Sequence, residues 1–254
     1  MIHMMRLAFF AAAFFAAGTA AAFDPEDMNA AQRAALHAEI RAYLLENPEV
    51  ILDVFAVLEN RQIAAEAETA RQAVTENADL LFRSQFDWVG GNPDGDVTLV
   101  EFFDYACGFC RRAHPEITEL IETDGNIRFV LKEFPILVED SMLASRFAIA
   151  TRVALGDAAY AAIHDGLMGL RGGINQSALV RLATDLGLDA DIILATMDDP
   201  IVTATIDTNH NLAQRLGISG TPSFIFNDQF VRGYLPLDDM MELVLDLRAA
   251  TTIQ

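Results

Sequence analysis

Cys107 and Cys110 are the only two cysteines in the chain, and Gly108 and Phe109 separate them. The thiolate is the reactive form of cysteine, and its free pKa of about 8.5 falls when the group sits at a helix N-terminus or beside a cation. Three residues along a helix is close to one turn, so a second thiol at that spacing can attack a mixed disulfide formed at the first. Such a pair exchanges disulfides: one sulfur engages the substrate and the other releases it. Other uses of a CxxC fit less well. Zinc needs four ligands, and the chain has no second CxxC and no His-x₃₋₅-His pair, although His114 lies four residues after Cys110 and could meet it on a helix face. A structural bridge across so short a loop removes little chain entropy. Two thiolates also suit copper(I), a soft ion. A non-catalytic copper(I)-binding or chaperone-like protein is therefore the alternative to an enzyme; no cofactor and no resident metal site is expected.

The surrounding elements must place Cys107 where its charge is stabilised. Val97–Phe103 is the β-rich run of a buried strand. It leads through Asp104, Tyr105 and Ala106 into Cys107, and a helix is expected from there to about Thr123. Asp124-Gly125-Asn126 reads as a turn and Ile127–Phe134 as a second strand, which completes a βαβ unit. Residues 140–216 read as short helices punctuated by Gly156, Gly172-Gly173 and Gly187, with Asn175 and Pro200 at helix starts. Pro222–Phe226, an Asn227-Asp228 turn, Gln229–Tyr234 and a helix from Leu237 to about Ala249 close the chain. The order βαβ, helical insert, ββα predicts an α/β thioredoxin fold over residues 96–254, with the insert at about 139–216. Proline at the first residue of a strand is ordinary. In a thioredoxin-like fold, however, a cis-proline at the place of Pro222 lies against the active-site disulfide. The backbone of the preceding Thr221 can then pair with an extended substrate.

Ahead of this domain, Met1–Ala22 reads as a cleaved secretory signal: Arg6, an apolar run from Leu7 to Ala17, and a small-residue Ala20-Ala21-Ala22 site. The run is well short of the roughly 20 residues a membrane-spanning helix needs. Residues 23–90 are expected to form an all-helical extension, since no glycine occurs between Met28 and Phe86. Asn47-Pro48-Glu49 reads as a helix start with Asn47 as N-cap. Val50, Ile51, Val54, Phe55 and Leu58 then form an apolar stripe, which either joins copies of the chain or packs on the catalytic domain. Gly90–Gly95 reads as the domain boundary. With 37 acidic against 17 basic residues the formal net charge is −20, which excludes a nucleic-acid partner because phosphate recognition needs a basic surface. His37, His164 and His210 read as surface or helix-packing residues. Lys132, the only lysine, has no evident role.

The segment Glu101–Cys110 resembles the active site of the DsbA family of exported thiol–disulfide oxidoreductases, and within it the ScsC and outer-membrane-antigen-like branch. Phe134–Leu137, Ser141–Arg146 and Gly217–Phe224 resemble the same branch. That resemblance implies Cys107 as nucleophile, Cys110 as resolving thiol, Pro222 as cis-proline and Thr221 as substrate-contacting backbone, with Gly108 and Phe109 facing the client. It further implies that Glu101 is a buried carboxylate that moves the proton of the second cysteine; burial would raise its pKa toward neutrality. The strongly oxidising member of the family carries proline and histidine between its cysteines. Gly108 and Phe109 add no positive charge, and Arg111 and Arg112 are expected to point to solvent, so a less oxidising couple follows. Implied partners are unfolded or misfolded exported proteins with cysteines and a membrane redox protein, either a quinone-linked oxidase or a reductase. The implied location is the periplasm, with a homo-oligomer joined through residues 28–86.

Overall fold

The computed structural model describes residues 27–252, so the expected signal segment lies outside the described residues. Along the chain, helices Ala30–Glu46 (α1), Glu49–Glu76 (α2) and Ala78–Phe82 (α3) precede strands Trp88–Gly91 (β1) and Val97–Phe103 (β2). Helix Gly108–Asp124 (α4) and strand Ile127–Glu133 (β3) complete the βαβ unit. The insert consists of Glu139–Leu155 (α5), Asp157–Met168 (α6), Gln176–Asp185 (α7), Ala190–Thr196 (α8) and Pro200–Arg215 (α9). Ser223–Phe226 (β4), Gln229–Arg232 (β5) and Leu237–Thr252 (α10) follow. The five strands form one sheet in the order β1-β3-β2-β4-β5. β2 and β3 are parallel, as the α4 crossover requires, and the other neighbours are antiparallel.

Successive side chains on a strand face opposite sides, and both sides of this sheet are covered. Leu99, Phe103, Phe129, Leu131, Phe224 and Phe226 face a core shared with α4, α10 and the insert. Val100, Phe102, Val130 and Ile225 face a second core completed by Val74 of α2, Leu81 of α3 and Leu212 of α9. The catalytic unit therefore begins before the expected boundary. The chain divides into compact units 1–60 and 61–254, and the second starts within α2. Gly90–Gly95 is not a boundary either: Trp88–Gly91 adds an edge strand to β3. The glycines that suggested a break are there for close approach. Gly91 has φ +65°, and a Cβ on it would collide with the Ile127 carbonyl.

In the first unit, α1 opens on a reciprocal cap in which Asn29 Oδ1 and Gln32 Oε1 accept from each other's backbone N–H at 3.0 Å. Asn47 does not cap α2 as expected. Its amide donates to the Tyr43 carbonyl at 2.9 Å, closing α1 instead. No residue of α1 is buried, and in α2 the apolar stripe lies open: Phe55 is 64% and Leu58 53% exposed. Among the described residues no helix is long and apolar enough to cross a membrane.

Lys132 acquires a role from its face of the sheet. It is fully buried, and its ammonium donates to the Asp87 carboxylate and to the Leu80 carbonyl. It thereby ties α3 and the approach to β1 onto β3. Removing one partner of a buried pair strands the other charge, so Lys132→Ala is expected to lower the unfolding free energy by about 3–5 kcal/mol in urea titration. Asp79→Ala breaks only the exposed Arg83–Asp79 pair and should cost less than about 1 kcal/mol. Equal losses from the two variants would refute an anchoring role for Lys132.

Candidate active site

β2 ends at Phe103 and α4 begins at Gly108, so Cys107 becomes the N-cap of α4. Its backbone is extended (φ −74°, ψ 116°) and its sulfur accepts from the Cys110 N–H at 3.3 Å. The first turn of a helix has unpaired N–H groups and a partial positive charge, which favours an anion there. The Cys110 thiol, the contact with Thr221 and the N–H groups of Cys110 and Phe109 outweigh burial and bring Cys107 down to about 6. Burial, then the hydrogen bond to Cys107 and the Glu101 charge, push Cys110 far above its ordinary value. At neutral pH the pair is therefore one thiolate and one thiol. As a thiol, Cys107 can also donate to the Thr221 carbonyl, 3.3 Å away.

Glu101 lies on the same face of β2 as Leu99 and Phe103, the face covered by α4, and is 2% exposed. Burial and then the nearby Cys107 charge push its carboxyl up to about 8, and Oε1 has no hydrogen-bond partner. The Thr221–Pro222 peptide is cis, as expected; Pro222 is buried, and the Thr221 hydroxyl is buried without a hydrogen-bond partner. Gly108 and Phe109 face outward. A Cβ on Gly108 would meet nothing within 4 Å, and Phe109 is 59% exposed with its ring 6.1 Å from Tyr234. All seven residues singled out from the sequence thus lie along the end of β2, the start of α4 and the loop before β4.

Groups packed around the site, outside the dithiol machinery itself, were not anticipated. Arg111 does not point to solvent. It donates to the Tyr105 carbonyl at 2.7 Å and to the Leu170 carbonyl at 2.8 Å, tying the loop before Cys107 to the insert. Arg112 is exposed and lies 4.4 Å over the Tyr234 ring. Asp104 is fully buried, and its carboxylate accepts from the N–H groups of Ala106, Ile136 and Leu137 at 2.7–3.1 Å. Glu133 accepts from Tyr105, Tyr160 and Ser145 at 2.7–2.9 Å, and burial pushes it up to about 8. His164 is buried beside Tyr105, and His114 meets Asp165 at 3.3 Å rather than Cys110. The partners of Glu133 and His164 lie 12 to 59 residues away in sequence, so no local pattern announces them; an acidic residue inside an apolar strand, as at Glu133, was the one available signal.

A helix-capping dithiol over a mixed sheet, facing a loop that ends in a cis-proline, defines the class of thioredoxin-fold thiol–disulfide oxidoreductases. Residues 98–244 match the DSBA-like thioredoxin domain, and residues 32–65 match the Copper resistance protein ScsC N-terminal domain. The chain belongs to the DsbA-like thioredoxin family, in its DsbA/ScsC-like group of thiol–disulfide oxidoreductases. A thioredoxin-like oxidoreductase from Silicibacter pomeroyi is 43% identical with a TM-score of 0.64, over 67% of this chain and 97% of that one. ScsC from Proteus mirabilis, in a transitional conformation, is 25% identical with a TM-score of 0.64, over 88% of this chain and 100% of that one. The Na(+)/H(+) antiporter NhaA 1 of Salinispora arenicola is 29% identical over 168 residues, 66% of this chain but only 26% of that protein. The chain thus spans about a quarter of the curated relatives it matches.

Ultraviolet titration of the reduced protein should show one thiolate with a midpoint near 6 and no second one up to well past neutrality. Because the folded value lies below the ordinary 9.0, the ionised Cys107 stabilises the reduced fold fully above pH 9. That stabilisation is lost as pH falls through about 6. The stability of the reduced form relative to the disulfide form should therefore rise across this window. A flat difference would refute the assignment.

Proposed function

We propose that the protein is a periplasmic thiol–disulfide oxidoreductase that reduces and isomerises disulfides in exported proteins. The observation that carries this reading is the division of the dithiol into an N-capping thiolate and a buried thiol. Cys107 attacks a client disulfide, forming a mixed disulfide and releasing one client thiolate. In reduction, Cys110 gives its proton to Glu101 and attacks the Cys107 sulfur, so the enzyme disulfide forms and the second client sulfur leaves as a thiolate that takes up the Glu101 proton, the first having been protonated by water. In isomerisation, a second client thiol displaces Cys107, and no net electrons move. Glu101, held near 8, can accept and return the Cys110 proton at neutral pH.

The direction follows from two further features. Cys107 at about 6 is much less acidic than the nucleophile of the strong oxidase DsbA at about 3.5. A less stabilised thiolate makes a less oxidising couple than that enzyme's potential of about −120 mV. The exposed stripe on α2 supports assembly of copies through the N-terminal helices, which sets several dithiols around one client and raises their effective concentration. The match to ScsC, and the likeness to a periplasmic thioredoxin-like protein, support export to the periplasm; a membrane reductase that keeps the pair reduced is the partner this reading requires. The copper(I) reading is less well supported, because Cys110 is fully buried and holds its proton.

Refolding of a scrambled disulfide protein provides the test. Cys107→Ala should abolish turnover, and Cys110→Ala should accumulate mixed disulfides with the client. Deleting residues 27–60 should convert an oligomer into a monomer by light scattering, cutting isomerisation while leaving reduction per site. Stoichiometric copper binding without turnover would instead favour the copper reading. Monomers in both forms would remove the assembly.

A further inference from the structure

A second cluster lies away from the two thiols, between the active-site helix and the insert. His114 on α4 approaches His164 and Asp165 on α6, and one nitrogen or oxygen of each lies within 4.8 Å of the others. His114 Nε2 and Asp165 Oδ1 are 3.3 Å apart, close to the edge of a tetrahedron with bonds of about 2.0–2.1 Å. Consecutive positions on a helix are about 100° apart. His164 therefore approaches from the buried side and Asp165 from solvent, on either side of His114. The three residues line a cavity of about 540 Å³ whose walls include Trp88, Ile117 and Ile121.

The decisive feature is the ring of His164. It is 3% exposed, yet its Nε2 is buried without any hydrogen-bond partner. Its other nitrogen, Nδ1, lies 3.1 Å from the Tyr105 hydroxyl. That hydroxyl gives its single proton to Glu133 Oε1 at 2.9 Å, so its oxygen can only accept from His164 Nδ1–H. The tautomer is thereby set, and Nε2 carries a free lone pair on a ring that lies beside His114 and Asp165. Leaving such a group unpaired in a protein interior costs about 1–3 kcal/mol. A ligating histidine characteristically has this arrangement: one nitrogen free for the ion, the other held by an anchored acceptor. Burial and then the nearby His114 hold His164 down at about 3, so the ring is neutral at physiological pH.

We propose that His114, His164 and Asp165 form a binding site for a divalent first-row cation of the zinc or copper(II) kind, separate from the dithiol. Two imidazoles and one carboxylate are the donor set of an open zinc site. The ion takes the place of the direct His114–Asp165 contact, and rotation of these two more accessible side chains closes the remaining gap to His164. Once bound, it links α4, which carries the nucleophile, to α6 of the insert. The two histidines are 50 positions apart in sequence, which is why a search for closely spaced histidines misses them.

The test uses the untagged, full-length mature protein with Cys107 and Cys110 oxidised to the disulfide, so that no thiolate competes. Titration calorimetry with Zn²⁺ and with Cu²⁺ should give one saturable site for at least one ion and raise the melting temperature. His114→Ala and Asp165→Asn, both outside the core, should each weaken binding by roughly tenfold or more, and Tyr105→Phe, which frees the His164 tautomer, by about 10–100-fold. Disulfide exchange by the metal-free His114→Ala protein should be unchanged, which separates failure of this site from failure of the dithiol chemistry. Absence of saturable binding for both ions, or affinity unaltered in His114→Ala and Asp165→Asn, overturns the proposal.

Discussion

A negative charge persists on Cys107 because the first turn of α4 directs donors at it, with the Cys110 N–H only 3.3 Å away. The same turn buries Cys110 completely, which keeps the second sulfur protonated. One helix terminus thus separates two chemically identical groups into a nucleophile and a reserve. The separation requires that α4 start at Gly108, with Cys107 neither inside the helix nor far before it. The chain secures this by hydrogen bonds at the turn: the Cys107 N–H donates to the Asp104 carbonyl at 3.0 Å, and the Asp104 carboxylate holds the Ala106 N–H and the loop after β3. Arg111 reaches back to the Tyr105 carbonyl from one turn into the helix. The start of α4 is therefore specified by buried polar contacts as well as by helix propensity.

The alternation of the sheet decides what each buried ionisable group can do. Glu101 and Glu133 sit at odd positions and face α4 and the insert; Lys132, one residue from Glu133, faces the opposite core and Asp87. A shift of one residue in β3 would exchange the environments of Lys132 and Glu133 and strand both groups. Glu133 has three hydroxyl donors, which satisfy it as part of the scaffold. Glu101 has an oxygen with no partner, although both are held near 8 by burial. Equal pKa values thus accompany different roles, and the satisfied group is structural. The unsatisfied one has an oxygen open to the proton exchange proposed for it.

What could be read from the sequence was whatever depends on near neighbours. The β-branched run before Cys107, the glycine turn at Gly125 and the Asn227-Asp228 hairpin are local signals, and each lies where the pattern put it. Glu101 was legible because a single acid between Val100 and Phe102 conflicts with its surroundings. β1 was not legible, since a four-residue strand with two glycines has the composition of a turn and exists only because β3 offers an edge. Arg111 was misassigned, and the partner of the helix-packing His164 was missed, for a related reason. Their partners, Leu170 and Tyr105, are 59 residues away, and only the folded insert brings them close.

The N-terminal helices obey a different constraint from the rest of the molecule. Residues of the second unit bury their apolar side chains on one of two cores. In contrast α1 buries none, and the stripe from Ile51 to Leu58 remains open to water. An isolated helix gains little from propensity alone, and most helical stability comes from packing an apolar face. A 28-residue α2 with such a face uncovered is therefore incomplete as a single chain in a way that the sheet is not. The alanine-rich stretch after it, by contrast, ends in Val74, which is buried on the second core. Helix α2 accordingly has two jobs along its length: its last turns complete the catalytic unit, while its first turns display apolar surface. The proposed isomerase function would give that surface a use, because a nucleophile must then stay near a client through several exchanges. Under that proposal, joined copies would keep it near without tighter binding at any one site.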